Sequence, residues 1–312
     1  MASGCGPLLA GAWQRWPRRV AGITGPVPAE YGLPMAKLLV IGGGKMGEAL
    51  VAGLLVSGWA SPADIIVVER DAARRAELVA SGGLAGRHQG LRVVPAVPPD
   101  AVPVAGAVLA VKPADAQDAC RSLATAGVKR LLSVLAGVVL RDLEEWCPKD
   151  CAVVRAMPNT GVMVRAGAAA IAPGSRAERA DMDWATGVLG SVGTVVEVPE
   201  DLLDAVTGLS GSGPAYVFVL VEAMIEAGVA MGLPRPLAHA LVVQTLFGAA
   251  RLLQETRQSP EALRAAVTSP AGTTAAGLRA LEAGRTRSVV IEAVAAATER
   301  SREMRRAGRQ PT

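Results

Sequence analysis

Residues 37–50 read Lys37-Leu38-Leu39-Val40-Ile41-Gly42-Gly43-Gly44-Lys45-Met46-Gly47-Glu48-Ala49-Leu50: an apolar run, a glycine turn and the opening of a helical pattern. Four consecutive apolar residues at 38–41 suit a strand buried on both faces. Gly42-x-Gly44-x-x-Gly47 then matches the turn at which a parallel sheet receives a dinucleotide. Gly42 permits the tight turn, Gly44 lets the backbone approach a pyrophosphate, and Gly47 lets the helix pack close to the strand. The helix N-terminus presents free N–H groups and positive dipole to the phosphates. Plain chain reversals use the same glycines, so the surroundings decide.

Working outward, residues 65–68, 107–111, 131–135 and 153–155 repeat the continuous apolar run. Helix-compatible stretches at 47–57, 72–80, 114–124 and 140–146 alternate with them. That alternation predicts an α/β fold with a Rossmann-type doubly wound parallel sheet. A further pair at 168–172 and 194–198 flanks a helical run at 176–189 and extends the sheet. After Pro199 the β signal stops. Residues 201–205, 214–231, 236–255, 260–267, 274–283 and 288–306 are helical by spacing, several opened by proline at a tolerated first-turn position. The expected organisation is an N-terminal extension over 1–34, a dinucleotide-binding domain over 35–199 and an all-helical domain over 200–312. The extension is rich in Gly, Pro and Arg and shows no packed element. It reads as dispensable, or as a start placed upstream of Met35, with an organelle transit peptide as the alternative.

At 312 residues the chain is long enough for two full cores, and 51% apolar with 19% charged residues is a globular composition. The net charge of +4 and an aromatic share of 3% argue against a nucleic-acid partner, which needs a basic stripe and stacking platforms. The long apolar stretches carry charges such as Glu222 and Glu226, so no membrane span is expected. His88, His239 and four scattered cysteines (Cys5, Cys120, Cys147, Cys151) do not make a metal site and point to reduced, cytoplasmic thiols.

Strand ends supply the candidate ligands. Glu69 lies 22 residues after Gly47, near the spacing at which an acid meets the adenosine ribose; its charge favours NAD, whereas Arg70 beside it suits the 2′-phosphate of NADP. Both cofactors stay open. Ala110-Val111-Lys112-Pro113 and the loop holding Val134, Leu135 and Ala136 follow later strands, where an open sheet lines its crevice. In the helical part, 210–216 (SGSGPAY) is a small-residue opening suited to close packing or to simple capping. Residues 269–274 (SPAGTT) combine main-chain N–H groups at a helix start with two hydroxyls, a receptor for a carboxylate or an ordinary N-cap.

The glycine turn, 110–113 (AVKP), 133–138 (SVLAGV), 155–160 (RAMPNT), SGSGPAY and SPAGTT together resemble the pyrroline-5-carboxylate reductase family, over about residues 35–304. The resemblance implies that Ile41, Gly42, Gly43, Gly44, Lys45 and Met46, with residues 110–113 and 134–136, contact NAD or NADP. It implies that Ser269, Gly272, Thr273 and Thr274 hold the imino-acid substrate, with the Thr274 hydroxyl beside the ring nitrogen. It also implies a homodimer through the helical domain, often assembled into decamers, and hydride transfer to 1-pyrroline-5-carboxylate giving L-proline, the last step of proline biosynthesis. Two departures stand out: Glu69 occupies a position where Ser or Thr is common, and Ala271 replaces the first glycine of the usual SPGGTT. The β-hydroxyacid dehydrogenases share the plan but use a helical-region lysine, and no lysine follows Lys149.

Overall fold

The computed structural model describes residues 37–98 and 104–307. The expectations for the extension over residues 1–34 lie outside the described residues. Eight strands form one sheet in the order β3-β2-β1-β4-β5-β6-β7-β8. They are β1 (Lys37–Ile41), β2 (Ile65–Val68), β3 (Arg92–Val94), β4 (Val104–Leu109), β5 (Arg130–Ser133), β6 (Ala152–Pro158), β7 (Gly167–Pro173) and β8 (Gly193–Glu197). The first six strands pair in parallel, as the alternation predicts.

The continuous apolar runs have a simple cause. Side chains alternate between faces along a strand. Leu38, Val40, Ile65 and Val67 enter one core with Leu50 and Leu54 of helix α1 (Lys45–Val56). Leu39, Ile41, Ile66 and Val68 enter the opposite core with Cys120 of α4 (Ala116–Ser122) and Leu143 of α5 (Leu140–Trp146). Both faces of β1 and β2 are therefore occupied by apolar packing. The remaining helices of this part are α2 (Ala72–Val79), the short α3 (Leu84–Arg87) and α6 (Arg179–Gly190).

Three features differ from the sequence reading. The edge strand β3 is only three residues long and half-buried, too short to give a periodic signal. β6 continues through Met157 and Pro158, beyond the apolar run at 153–155, so most of the RAMPNT stretch is strand. β7 runs antiparallel to β6. The connection over 159–166 is too short for the crossover that a parallel partner requires, so the chain must reverse. The α6 crossover then makes β7 and β8 parallel.

Beyond β8 the chain is helical: α7 (Leu203–Val206), α8 (Gly213–Ala230), α9 (Arg235–Thr256), α10 (Pro260–Ala266), α11 (Thr273–Ala283) and α12 (Thr286–Ala307). Pro214, Pro236 and Pro260 sit in the first turns of α8, α9 and α10, as expected. Between α7 and α8 the residues Thr207–Gly211 form a π-helical turn, closed by the Ser212 N–H donating to the Thr207 carbonyl at 2.8 Å. SGSGPAY is therefore more than a capped start. A Cβ on Gly208 would stand 2.2 Å from the Thr298 Oγ1, so this turn lets α12 pack directly on backbone.

The long helices bury little of themselves: Ile225 in α8, and Ala238 and Val242 in α9. Glu200–Ala230 and Arg235–Thr256 are long and apolar enough to cross a membrane by length and composition, despite the charges within them.

Candidate active site

The glycine turn does what its spacing asks. Gly42 has φ +104, and a Cβ there would lie 2.5 Å from the Ala110 carbonyl oxygen of the neighbouring strand end. A Cβ on Gly47 would meet the Gly42 oxygen at 2.0 Å, so any side chain would push α1 off the turn. Gly44 is the opposite case: nothing lies within 4 Å of a Cβ built on it. Among the described residues its bareness serves no packing partner, and it leaves the approach to the helix N-terminus open. Gly44 is the N-cap of α1 and offers no side chain to its first-turn N–H groups. An uncapped helix end behind an open glycine fits the pyrophosphate of a dinucleotide.

A cleft of about 990 Å³ opens in front of this turn, at the carboxyl ends of β1, β2, β3 and β4. Ile41, Gly42, Gly44, Lys45 and Met46 line it from the turn, Glu69 and Arg70 from the end of β2, and Ala110, Val111 and Lys112 from the end of β4. Of the other expected contacts, Gly43 and Gly47 are buried behind the turn. Pro113 opens the short helical turn after β4 without lining the cleft. Val134 and Leu135 are buried in the two cores on either side of β5. Ala136 lines a separate cavity of about 170 Å³ with Gly137, Thr207, Ser212, Arg300, Ser301 and Met304.

Two side chains brace the turn: Glu69, already a candidate from the sequence, and Arg74, which sequence reading missed. Glu69 Oε2 accepts a hydrogen bond from the Gly43 N–H at 2.9 Å, and Arg74 Nε donates to the Gly43 carbonyl at 2.8 Å. Both ends of the residue are thus held from the β2–α2 loop. Arg74 also pairs with Glu48 and Glu77, Glu77 first in holding its guanidinium above the ordinary arginine range. Asp71 caps α2 by accepting from the Arg74 N–H at 2.7 Å, which sets the arginine over the turn. An N-cap acid with an arginine three residues later was the available signal.

The helical part supplies two further arrangements. Asn159 of RAMPNT donates through Nδ2 to the Ser210 carbonyl at 3.2 Å, while its Oδ1 accepts from the Gly161 and Ala168 N–H groups, each at 3.1 Å. The strand end is so tied to the π turn. The SPAGTT stretch forms a turn closed by the Gly272 N–H donating to Ser269 O at 3.1 Å. α11 begins at Thr273 with Gly272 as N-cap and no side-chain cap, so neither threonine hydroxyl is spent on capping. Ser269, Thr273 and Thr274 are exposed. The stretch lines neither the cleft nor the smaller cavity.

Among the described residues no cluster of His, Cys, Asp and Glu is arranged to hold a metal. A Rossmann sheet with a bare glycine turn, joined to a helical region, defines the class of dinucleotide-dependent oxidoreductases. The comparisons agree and narrow it. The family described as "Pyrroline-5-carboxylate reductase dimerisation" matches residues 200–304, and "NADP oxidoreductase coenzyme F420-dependent" matches 37–137. A pyrroline-5-carboxylate reductase of Synechocystis sp. is 44% identical over 269 residues, covering 86% of this chain and 98% of the relative. One of Arabidopsis thaliana is 39% identical over 281 residues, 89% of this chain and 98% of the relative. The solved structure of a pyrroline-5-carboxylate reductase from Coxiella burnetii superposes with a TM-score of 0.79 at 35% identity, covering 86% of this chain and 98% of that one. That of the Plasmodium falciparum pyrroline carboxylate reductase with NADP bound gives 0.73 at 28%, covering 87% and 99%. The chain belongs to the pyrroline-5-carboxylate reductase family.

Proposed function

We propose that this chain reduces 1-pyrroline-5-carboxylate to L-proline, the closing step of proline biosynthesis. The observation that carries the reading is an intact SPAGTT helix start, with uncapped N–H groups and free threonine hydroxyls, in a chain whose glycine turn is equally intact. A reduced nicotinamide dinucleotide in the cleft supplies a hydride. Ile41, Gly42, Gly44, Lys45 and Met46, with residues 110–112, would hold it, and Ala136 would extend the contact toward the helical part. The free N–H groups of Thr273 and Thr274 at the start of α11 receive the substrate carboxylate, and the Thr274 hydroxyl donates to the ring nitrogen. The C=N carbon gains the hydride and the nitrogen a proton, so the ring needs a hydrogen-bond donor beside it and no strong protein acid. Rate then comes from holding carbon against carbon in a dry, fixed geometry.

Because SPAGTT lines no cavity formed with the glycine turn, the complete centre is assembled between two copies. The match to a dimerisation family over 200–304 and the uncovered faces of α8 and α9 support a homodimer through this region. Decamers, a cytoplasmic site and a division into domains at residue 199 belong to the same reading, which needs no nucleic acid or membrane. The apolar helices serve a partner chain instead of lipid.

The test follows NADH and NADPH oxidation separately, with and without 1-pyrroline-5-carboxylate, using the full chain. Imine-dependent oxidation with stoichiometric proline is expected. Dinucleotide binding without turnover would leave a binding protein in place of a reductase.

A further inference from the structure

We infer that the adenosine end of the cleft selects a dinucleotide with a free ribose 2′-hydroxyl, NAD(H) over NADP(H), and that Glu69 is the residue that selects. This rests on the cleft being the dinucleotide site. The residue types at 69 and 70 leave two outcomes open: a carboxylate facing the ribose, or one turned aside so that Arg70 takes a 2′-phosphate. The geometry separates them.

Glu69 lines the cleft and is not turned aside. Its Oε2 accepts from the Gly43 N–H and its Oε1 from the Asp71 N–H, both at 2.9 Å. Two backbone donors from two loops fix the carboxylate in place. Each oxygen keeps a lone pair free. A ribose diol brings hydroxyl donors to those lone pairs; a 2′-phosphate brings only acceptors and about −1.5 to −2 of charge.

The cations that would rescue a phosphate are engaged. Arg70 reaches across the cleft to pair with Asp115, which also lines it. Arg74 is held by the Gly43 carbonyl, Glu48 and Glu77. Arg75 donates to the carbonyl oxygens of Glu69 and Arg70, at 2.9 and 2.6 Å. Asp71 and Asp118 add negative charge to the lining. Lys45 and Lys112 also line it, but they stand after β1 and β4, not on the β2 loop that carries Glu69. A phosphate placed beside Glu69 therefore meets a fixed like charge, with Arg70, Arg74 and Arg75 each already committed elsewhere.

Titration calorimetry of the full chain with NAD+ and NADP+, and with 5′-AMP and 2′,5′-ADP as the adenosine fragments, tests this. The unphosphorylated member of each pair is expected to bind at least about tenfold more tightly, as like-charge juxtaposition penalises the other. Glu69→Gln keeps an acceptor for the Gly43 N–H and removes the charge, and is expected to narrow or reverse the ratio. Tighter or equal binding of the phosphorylated members by the unaltered chain overturns the inference, as does an unchanged ratio in Glu69→Gln. If NADP+ wins while the imine is still reduced, the proposed reaction stands and only the selectivity falls. If no nucleotide binds, both fall.

Discussion

Ala271 shows what one side chain changes in a loop whose motif is otherwise intact. From the sequence its replacement of glycine looks slight. In the structure it has φ +58, the left-handed region in which a Cβ crowds the following carbonyl. The cost for an L-residue is about 1–2 kcal/mol, against the roughly 0.5–1 kcal/mol of chain entropy that glycine loses on folding. The difference of about half a kcal/mol predicts that Ala271→Gly raises Tm by about 1–2 °C. Ala271→Val, β-branched at the same φ, lowers it; a melting series that reverses this order contradicts the assignment of strain. Thr274 tests the chemistry itself. Its hydroxyl is exposed and uncommitted to the helix cap, so Thr274→Ala is expected to lower kcat/KM by roughly tenfold or more without unfolding the chain, the loss of one transition-state hydrogen bond. Thr274→Ser should restore most of it, and an unaltered kcat/KM in the alanine variant removes Thr274 from the reaction. At this scale legibility was uneven. Gly42, Gly44 and Gly47 could be assigned roles because glycine has one physical use at each position. Arg74 could not, since its task depends on a carbonyl 31 residues earlier in the chain that only folding brings to it.

The elements around β6 hold a group of thiols that serve packing. Cys120 of α4, Cys147 after α5 and Cys151 before β6 are buried in one core. A hydrogen bond to Cys120, with burial, pushes the Cys147 thiol up to about 12, although Cys151 opposes the shift. Cys151 is raised further, first by its bond to Cys147 and then by burial. In the unfolded chain such thiols ionise near 8.5. Above that pH the unfolded state has released protons that the folded state retains, so this contribution to stability is complete below about 8.5 and declines as pH rises toward 12. The unaltered chain should therefore lose more Tm between about pH 7.5 and 10 than a Cys147→Ala/Cys151→Ala variant; parallel losses would show that the pair carries no such linkage. Element type was readable here because two-sided burial demands unbroken apolar runs and crossover helices alternate with them. The direction of β7 was not. It follows from the length of a connection, and the connection could be measured only once β6 was seen to include Met157 and Pro158.

The single chain is complete on one side and unfinished on the other. Its sheet has a core on each face, whereas α8, with 18 residues, and α9, with 22, bury three residues between them. Phe218 is 61% exposed and Phe247 57%, figures that suit an obligate interface better than a monomer surface. Replacing either phenylalanine by Glu is expected to shift sedimentation from dimer toward monomer and to abolish imine reduction while nucleotide binding survives, because the cleft belongs to one chain alone. A variant that keeps its dimer mass would place the interface elsewhere. Sequence reading found the helices and, through the family resemblance, their purpose. It could not show that cleft and SPAGTT loop stand apart within one chain, because periodicity reports which side of a helix is apolar and not which molecule covers it.

Those bare helices also bear on how the protein is made. A newly released copy carries an oily ridge until another arrives, and the meeting rate rises with the square of abundance, whereas capture by chaperones or clumping with strangers does not wait. Sparse synthesis should therefore waste a larger share of product than brisk synthesis, and neighbouring ribosomes on one message offer the shortest route to a mate.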